Sequence, residues 1–436
     1  MATYPIRPVA EDELTDFLAV DQHASHGTPT SERARANLLA RLDFGRTLAA
    51  FDGDTIVGSA GAFGFQMRVP GALAAVAGVS LVAVLPSHRR QGILSVLMRR
   101  QLADVSERGE AVAVLFCSES GIYGRYGYGR ASWHAAYRLQ RGEGTLAPGA
   151  PADPGLRLRI AEPLSVRAEL AQVYDAALAE RPGMYARTEP WWDRLLTDLH
   201  SDGEPSRQIR CVLAEDDSGP RGYAVFTSAE RWDDDAGLPE GVLEVSEAIT
   251  TDSAATAALW DNLLSQDLVS EFRARMRPVD DPLPYLLADP RRVRSLVSDG
   301  LWVRLVDVGS ALAQRHYACP VDVVIEVADE LCPHNAGRWR LAAEAGRGGW
   351  CRSPGLPRYL RTDHHPGRCG TARLGSGRRV PRRQPPWAHG QGGPGHRGDA
   401  GFPRGALQRH VVGTGTLVPH DLLTWTGGRE RHARQT

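Results

Sequence analysis

The chain contains no lysine, so arginine supplies all 51 of its basic residues. Lysine codons are rich in A and T, and their absence indicates a very GC-rich gene. No apolar run approaches the roughly 20 residues of a membrane-spanning helix, and the N-terminus lacks the basic and then apolar pattern of a signal peptide. We therefore expect a cytoplasmic protein that does not enter the membrane.

Cysteine is scarce and scattered over the sequence. The six cysteines form no CxxC pair, which argues against both a disulfide framework and a zinc site; they are Cys117, Cys211, Cys319, Cys332, Cys351 and Cys369. We expect free thiols and no metal. At 436 residues the chain is long enough for two or three domains, each with its own core.

Acidic residues become rare near the C-terminus. Residues 1–345 hold 35 Arg against 48 acidic residues, whereas residues 346–436 hold 16 Arg against 4. The later segment also contains 19 Gly and 9 Pro but no Ile. A segment of this composition buries too little apolar surface to offset the entropy of ordering it. It also lacks the interleaved aromatic residues of a nucleic-acid-binding segment, so we do not expect a nucleic acid partner.

A strand, a basic loop and a helix form the most informative stretch. Residues 79–85 are apolar and rich in β-branched side chains, which predicts a buried strand ending at Pro86. Residues 87–92 form an arginine-rich loop, and apolar residues then recur at helical spacing over 93–102. The first N–H groups of a helix have no partner within it and carry partial positive charge. This loop therefore predicts a phosphate site, with Gly92 allowing close approach of the backbone.

A second apolar strand is predicted over residues 111–117, followed by a segment rich in tyrosine. Tyr123, Tyr126 and Tyr128 lie within six residues. A tyrosine remains protonated at neutral pH and can donate a proton, although an aromatic ring packed on the sheet explains the same residue. Arg89 and Arg90 likewise have the alternative interpretation of a solvated loop.

The order of predicted elements indicates an α/β fold with mixed sheets, repeated in weaker form. We expect a first domain over residues 1–141 that closes with a strand at 131–139, and a second over 155–280. The second has no arginine–glycine loop, because residues 250–253 read Thr-Thr-Asp-Ser after the corresponding strand. A third, smaller α/β unit is predicted over 281–345 with strands at 300–308 and 321–327, followed by the arginine-rich tail at 346–436.

Residues 82–94 resemble the acetyl-coenzyme A signature of the GNAT N-acetyltransferases. Together with residues 118–129 and with Asp280-Asp281-Pro282-Leu283-Pro284, they resemble the Eis (enhanced intracellular survival) branch of that family. The resemblance covers about residues 4–345. It implies a catalytic GNAT domain, a degenerate GNAT domain and a sterol-carrier-like domain, here incomplete. It also implies a homohexamer that acetylates the amines of small polyamines such as aminoglycosides.

The resemblance assigns roles to individual residues. The backbone of Val82, Ala83 and Val84 would pair with the pantetheine arm of acetyl-CoA, and Tyr123 would be the general acid. Ser118 and Glu119 would line the far side of the cofactor. The pyrophosphate would be held by Arg90, Gln91, Gly92, Ile93, Leu94 and Ser95. The family's base is the C-terminal carboxylate, which Thr436 would supply here.

Two other functions remain open at this point. One is a lysine acetyltransferase that acts on proteins or peptides. The other is a non-catalytic protein whose third domain holds an apolar ligand.

The tail has two interpretations, a shifted reading frame or a genuine basic extension. In a GC-rich gene a shifted frame yields Arg, Gly, Pro and His, as found after Gly346. We expect another frame of the gene to encode an apolar-patterned segment that completes the third domain and ends near an aromatic residue. In the present frame, strands beginning at Val303 and Val321 would lack partners. Sequencing of the gene checks this, and a gene without such a frame would establish the tail as genuine.

Overall fold

The computed structural model describes residues 4–27, 31–197 and 208–343, together with short strands at 351–352 and 372–374. In chain order the strands are β1 (Ile6–Arg7), β2 (Thr47–Asp52), β3 (Thr55–Val69), β4 (Ala72–Val84), β5 (Val112–Phe116), β6 (Gly129–Arg130), β7 (Trp133–Gln140), β8 (Arg157–Ala161), β9 (Ile209–Asp216), β10 (Gly219–Ala229), β11 (Gly241–Thr250), β12 (Val269–Pro278), β13 (Arg294–Asp299), β14 (Leu301–Leu305), β15 (His316–Tyr317), β16 (Val321–Val327), β17 (Gly337–Ala343), β18 (Cys351–Arg352) and β19 (Ala372–Leu374). The α-helices are α1 (Leu14–Ser25), α2 (Glu32–Leu39), α3 (Ile93–Glu107), α4 (Ser120–Tyr123), α5 (Arg167–Glu180), α6 (Glu189–Leu196), α7 (Ser253–Leu264), α8 (Leu283–Leu286) and α9 (Val308–Ala313).

Two mixed sheets flanked by helices form the framework. The first has the strand order β1-β2-β3-β4-β5-β14-β6, and the second has the order β13-β7-β12-β11-β10-β9-β8. In each sheet one parallel pair, β4 with β5 or β11 with β12, lies among antiparallel strands. The predicted α/β architecture with two related units is confirmed.

Local sequence explains most element boundaries. Ser31 caps α2, since its hydroxyl accepts a hydrogen bond from the amide of Ala34 at 3.1 Å. The β3–β4 hairpin turns at Pro70 and Gly71, where φ is +82°. β3 runs unbroken from Thr55 to Val69, past the glycine at position 64. The glycine at position 64 admits the guanidinium of Arg46, which would lie 3.2 Å from an added Cβ, rather than ending the strand.

Two strands lie in a different sheet from the one predicted. The strand expected to close the first domain is β7, which pairs with β12 in the second sheet. The strand expected to begin the third unit is β14, which pairs with β5 and β6 in the first sheet. Apolar periodicity identifies a strand but carries no information about its partner, which is why both placements were wrong.

The chain crosses between the sheets at two points that meet each other. Gly300 alone separates β13 from β14, and its amide donates to the carbonyl of Ser132 at 3.0 Å. The Ser132 hydroxyl in turn accepts from the amide of Leu301 at 2.8 Å. A Cβ at position 300 would lie 2.6 Å from that hydroxyl, so the crossing requires glycine.

Adjacent tryptophans on α6 join the two cores. Trp192 packs in the core of the second unit, together with Tyr174. Trp191 faces the other way and packs against Phe63 and Phe65 of the first unit, with ring centroids 5.3 and 5.0 Å apart. Both rings pack inward, each in a different core.

The third unit contains α9 and the antiparallel pair β16–β17. The expectation that the strands at Val303 and Val321 lack partners is wrong, because β14 lies within the first sheet and β16 pairs along its length with β17. Among the described residues, Cys117, Cys211, Cys319 and Cys332 are free thiols, as predicted. Within these same residues, every helix is too short or too polar to cross a membrane.

Replacement of Leu301 by alanine is expected to destabilise the fold by about 2 to 5 kcal/mol, because this side chain is buried where β14 joins the first sheet. Leu296 on the neighbouring strand β13 is 66% exposed and provides a matched control. Its alanine variant is expected to stay within about 0.5 kcal/mol of the parent. Denaturant unfolding measures both, and equal effects would contradict the central position of β14.

Candidate active site

The edge of β4 is open where the two parallel strands diverge. β4 and β5 pair at Val76, Ala77 and Gly78. β4 then continues to Val84, paired with β3 on its other side, across a register shift at which Leu81 has a φ of +56°. Within the described residues, no β5 partner follows for Val82–Val84. An extended ligand can add to such an edge as a further strand, which is the role that the resemblance implies for these residues.

The N-terminus of α3 lies at the end of this edge. Gly92 occupies the N-cap with a φ of +87°, and no side chain caps the helix. A Cβ built at Gly92 meets no described atom within 4 Å, so the backbone faces open space. Arg89 and Arg90 are exposed on the same loop. Uncapped N–H groups, the helix dipole and two arginines suit this position to a phosphate group.

Residues distant in sequence hold the loop in place. The hydroxyl of Tyr4 donates to Oε1 of Gln91 at 2.5 Å, and the Tyr4 ring meets His88 edge-on with centroids 5.9 Å apart. His88 Nε2 also lies 3.2 Å from a carboxylate oxygen of Asp52. Thus His88 is a structural residue of the loop. No sequence feature pointed to Tyr4, which is 87 residues from its partner.

Tyr123 lies at the end of α4, in a hydrophobic cluster that contains Val79 of β4 and against which Val82 packs, and is 8% exposed. Burial raises the pKa of its hydroxyl above the ordinary value, with smaller contributions from Cys117 and Asp21. The hydroxyl therefore holds its proton throughout the physiological range. This state is the one that a proton donor needs.

The structure brings the phosphate loop and the tyrosine segment together. Ser95 Oγ, in the first turn of α3, lies 3.2 Å from the hydroxyl of Tyr126. Val82 and Leu94 pack against the hydrophobic cluster that contains Tyr123. The side chain of Ile93 instead packs in a cluster with Leu48, Ala50 and Val57. Ile93 can therefore contribute to a ligand site only through its backbone.

The remaining predicted residues differ in what the structure says of them. Ser118 and Glu119 are exposed and lie directly before α4, near Tyr123. The carboxylate of Glu119 is close enough to contribute to the raised pKa of Tyr123. Thr436 lies outside the described residues, so its role as a base stays a prediction of the resemblance.

Asp21 is a site residue that sequence reasoning missed. It lies near the end of α1, a helix that packs on β3 and β4. Burial raises the pKa of Asp21 from 3.8 to about 6, and its carboxylate is close enough to Tyr123 to affect that pKa. Among the described residues, no arginine or histidine forms an ion pair with it. An aspartate in an amphipathic helix has no sequence feature that separates it from a surface residue such as Asp16.

In the second unit, the protein's own side chains occupy the positions that are open in the first unit. Asp252 caps α7 and accepts hydrogen bonds from the amides of Ala254 and Ala255, both at 2.9 Å. These are the donors that a phosphate would need, and the carboxylate adds a repelling charge. The predicted absence of a phosphate cradle in this unit therefore has a direct physical cause.

An arginine occupies the cleft between the parallel strands of the second unit. β11 and β12 pair as far as Val245 and Ala274 and then diverge. Arg277 enters there, donating to the carbonyl of Ala248 at 3.1 Å and to Asp281 at 2.7 Å. Both charged side chains are buried. The strand edge that could accept a ligand is thus hydrogen-bonded within the protein.

Comparison with known proteins agrees with this division. Residues 5–131 and 183–305 match two acetyltransferase (GNAT) domain families, and residues 308–362 match a sterol carrier protein domain. An uncharacterised N-acetyltransferase of Streptomyces avermitilis is 42% identical over 351 residues, covering 80% of this chain and 85% of the relative. The N-acetyltransferase Eis of Mycobacterium tuberculosis is 33% identical over 302 residues, covering 68% and 70% respectively.

Solved structures show the same relationship. Eis1 from Mycobacterium abscessus is 36% identical with a TM-score of 0.63, covering 78% of this chain and 82% of that chain. A GCN5-related N-acetyltransferase from Anabaena variabilis has a TM-score of 0.67 at 17% identity and covers 81% and 85%, which shows a shared fold. The chain belongs to the GNAT N-acetyltransferases and is an Eis-like acetyltransferase with two GNAT domains and a sterol-carrier-like domain.

Proposed function

We propose that the first unit transfers an acetyl group from acetyl-CoA to an amine of a small polycationic acceptor, such as an aminoglycoside. The observation that carries the proposal is the junction of the open β4 edge with the uncapped α3 N-terminus, close to a protonated tyrosine. An elongated phosphate-bearing thioester fits this junction. Its pantetheine arm would pair with Val82–Val84, and its pyrophosphate would meet the amides that follow Gly92.

The charges around Tyr123 favour a cationic acceptor. The carboxylates of Asp21 and Glu119 both act on the Tyr123 hydroxyl, whereas the arginines of the phosphate loop lie on the cofactor side. Two carboxylates near the proposed proton donor attract a polyamine. A hexameric assembly remains a prediction of the family resemblance.

The residues divide the chemistry between them. Acetyl-CoA supplies a thioester that an uncharged amine can attack. Tyr123 donates its proton to the departing thiolate sulfur, and the hydroxyl stays protonated at neutral pH until that negative charge develops. Asp21 binds another, protonated amine of the acceptor and stabilises the positive charge that forms on the attacking nitrogen. The predicted base, the carboxylate of Thr436, would accept the proton released by the amine.

Replacement of Tyr123 by phenylalanine tests the proposal most directly. Turnover is expected to fall roughly 10²- to 10⁴-fold with acetyl-CoA affinity nearly unchanged, because the ring remains and only the proton donor is lost. Tyr185→Phe is the control, since the buried Tyr185 hydroxyl has no described hydrogen-bond partner and lies in a different hydrophobic cluster from Tyr123. Thiol release with a panel of amines measures both. Parental turnover in Tyr123→Phe would assign this residue a packing role. If the parent protein binds acetyl-CoA but turns over no amine, a non-catalytic binding protein is favoured.

Glutamate at Gly92 is expected to weaken acetyl-CoA binding at least about tenfold, because a side chain and a negative charge would enter the phosphate position. Gly109, at the other end of α3, also has a positive φ (+75°) and open space around its Cβ position. Gly109→Glu therefore imposes the same backbone strain away from the cofactor. Calorimetric titration compares the two, and equal affinities would contradict the placement of the phosphate.

Asparagine at Asp21 is expected to reduce kcat/KM for the amine while stabilising the fold. The raised folded-state pKa means that ionisation of Asp21 costs stability as pH rises from about 4 through about 6. Asp21→Asn removes that cost, so a gain of about 1 to 3 kcal/mol is expected above pH 6 and little near pH 4. Parental kcat/KM should also decline as pH falls through about 6, and the variant should lose this limb.

Asp16→Asn, on an exposed position of the same helix, is the control for both measurements of Asp21. It is expected to change neither the stability profile nor the amine kinetics. A parental kcat/KM in Asp21→Asn would remove Asp21 from the acceptor site.

A further inference from the structure

The turn that carries Tyr123 is fixed at both ends by β14. On one side β14 pairs with β5, which leads into the turn, from Leu301 opposite Phe116 to Leu305 opposite Val112. On the other side it pairs with β6, which follows the turn, with Val303 opposite Gly129. The arrangement holds the ends of the turn but leaves residues 117–128 to be positioned by other contacts.

Arg304 supplies one of these contacts from β14. Its side chain is 10% exposed, and the guanidinium lies directly against the backbone of Gly127. A Cβ at position 127 would lie 2.8 Å from Arg304 Nη1 and 2.9 Å from Cζ. Gly127 has a φ of +79°, so glycine is required here both for the backbone conformation and for the approach of the arginine.

Tyr128 links Gly127, which Arg304 contacts, to Tyr123. The amide of Tyr128 donates to the carbonyl of Tyr123 at 3.3 Å, and the two rings meet edge-on with centroids 6.0 Å apart. The charge of Arg304 acts on the Tyr128 hydroxyl, where it opposes the rise in pKa that burial causes. A displacement of Arg304 would therefore shift Gly127 and Tyr128, and through them Tyr123.

Asp329 of the third unit holds Arg304. Both carboxylate oxygens of Asp329 accept from Arg304 Nη2, at 2.6 and 2.7 Å, and the carboxylate side chain is 6% exposed. The same carboxylate accepts from the amide of Cys332 at 3.0 Å and from the side-chain amide of Asn335 at 2.9 Å. The hydrogen bonds from Cys332 and Asn335 thus orient the Asp329 carboxylate independently of the arginine. Leu331 and Cys332, from the same loop, pack in the cluster that contains Tyr123.

We propose that the Arg304–Asp329 pair is a positioning device through which the sterol-carrier-like unit holds the turn of Tyr123 in its catalytic geometry. The inference rests on the proposed role of Tyr123 as proton donor. The pair lies apart from the open β4 edge and from the α3 N-terminus, so its loss should displace the proton donor and leave the cofactor position intact. The third unit would then be needed for turnover at the first even when it binds no ligand.

The test is Asp329→Asn in the full-length chain. Asparagine keeps an acceptor for the backbone amide of Cys332 but removes the charge that balances the buried Arg304, which leaves that cation uncompensated. We expect kcat to fall about 10- to 100-fold, the loss typical of a small misplacement of a catalytic group. KM for acetyl-CoA and the number of acetyl-CoA molecules bound per chain should stay within about twofold of the parent.

Asp322→Asn is the matched control. Asp322 lies in the same unit and also forms a bidentate ion pair, with Arg340 at 2.8 and 2.9 Å. Both side chains are exposed, and they lie on the neighbouring strands β16 and β17. This variant should keep the parental kcat. Equal kcat in Asp329→Asn and the parent would overturn the proposal, as would a fall in kcat matched by an equal loss of acetyl-CoA binding.

A second variant, Arg304→Lys, covers the case in which Asp329→Asn does not fold. Lysine keeps the positive charge but lacks the planar guanidinium that packs on Gly127. We therefore expect kcat to fall at least about fivefold while acetyl-CoA binding is retained. Parental kcat in this variant would overturn the proposal, and failure of both variants to fold would assign the pair to stability alone. Parental turnover in Tyr123→Phe would instead contradict the proposed function, which separates the two failures.

Discussion

The insertion of β14 between β5 and β6 is the constraint on which the catalytic half of the molecule depends. Without it, the apolar strand Val112–Phe116 would end the first sheet as an open edge, and β6 would lose the neighbour with which it pairs. The turn between these strands carries Tyr123. Residues 76–128 contain most of the proposed site, but the sheet that holds them is completed only when the chain returns at Leu301, about 170 residues later. The first unit is therefore not an independent catalytic module ending near residue 141.

The sequence was most informative where local chemistry determines structure. The apolar strand, the arginine–glycine loop and the amphipathic helix after Gly92 lie where periodicity predicted them, and the tyrosine-rich segment follows the second strand. Pairing across long distances was not predictable, because β7 and β14 have ordinary strand patterns that fit either sheet. Tyr4 and Asp21 were missed for a related reason. Their roles come from the three-dimensional approach of the N-terminal segment and α1 to a site encoded much later.

The two GNAT domains show how one fold can keep or lose a position for a ligand. The difference lies at two equivalent places, the start of a helix and the cleft between diverging parallel strands. In the first domain Gly92 leaves helix amides free and the edge of β4 open. In the second, Asp252 occupies the amides and Arg277 occupies the cleft. Side chains there satisfy polar groups that a ligand would otherwise satisfy, so the second domain gains buried hydrogen bonds where the first retains capacity for binding.

The contacts between the third unit and the turn of Tyr123 all come from residues before the composition change at Gly346. Asp329, Leu331 and Asn335, which join the third unit to β14 and the catalytic turn, all precede it, and so does the β16–β17 pair. The elements that support the first sheet and Tyr123 are therefore encoded before the arginine-rich segment begins. The contacts that hold the turn of Tyr123 therefore lie before the arginine-rich segment, whereas residues 346–436 add to the third unit through the pairing of β18 with β15 and of β19 with β16.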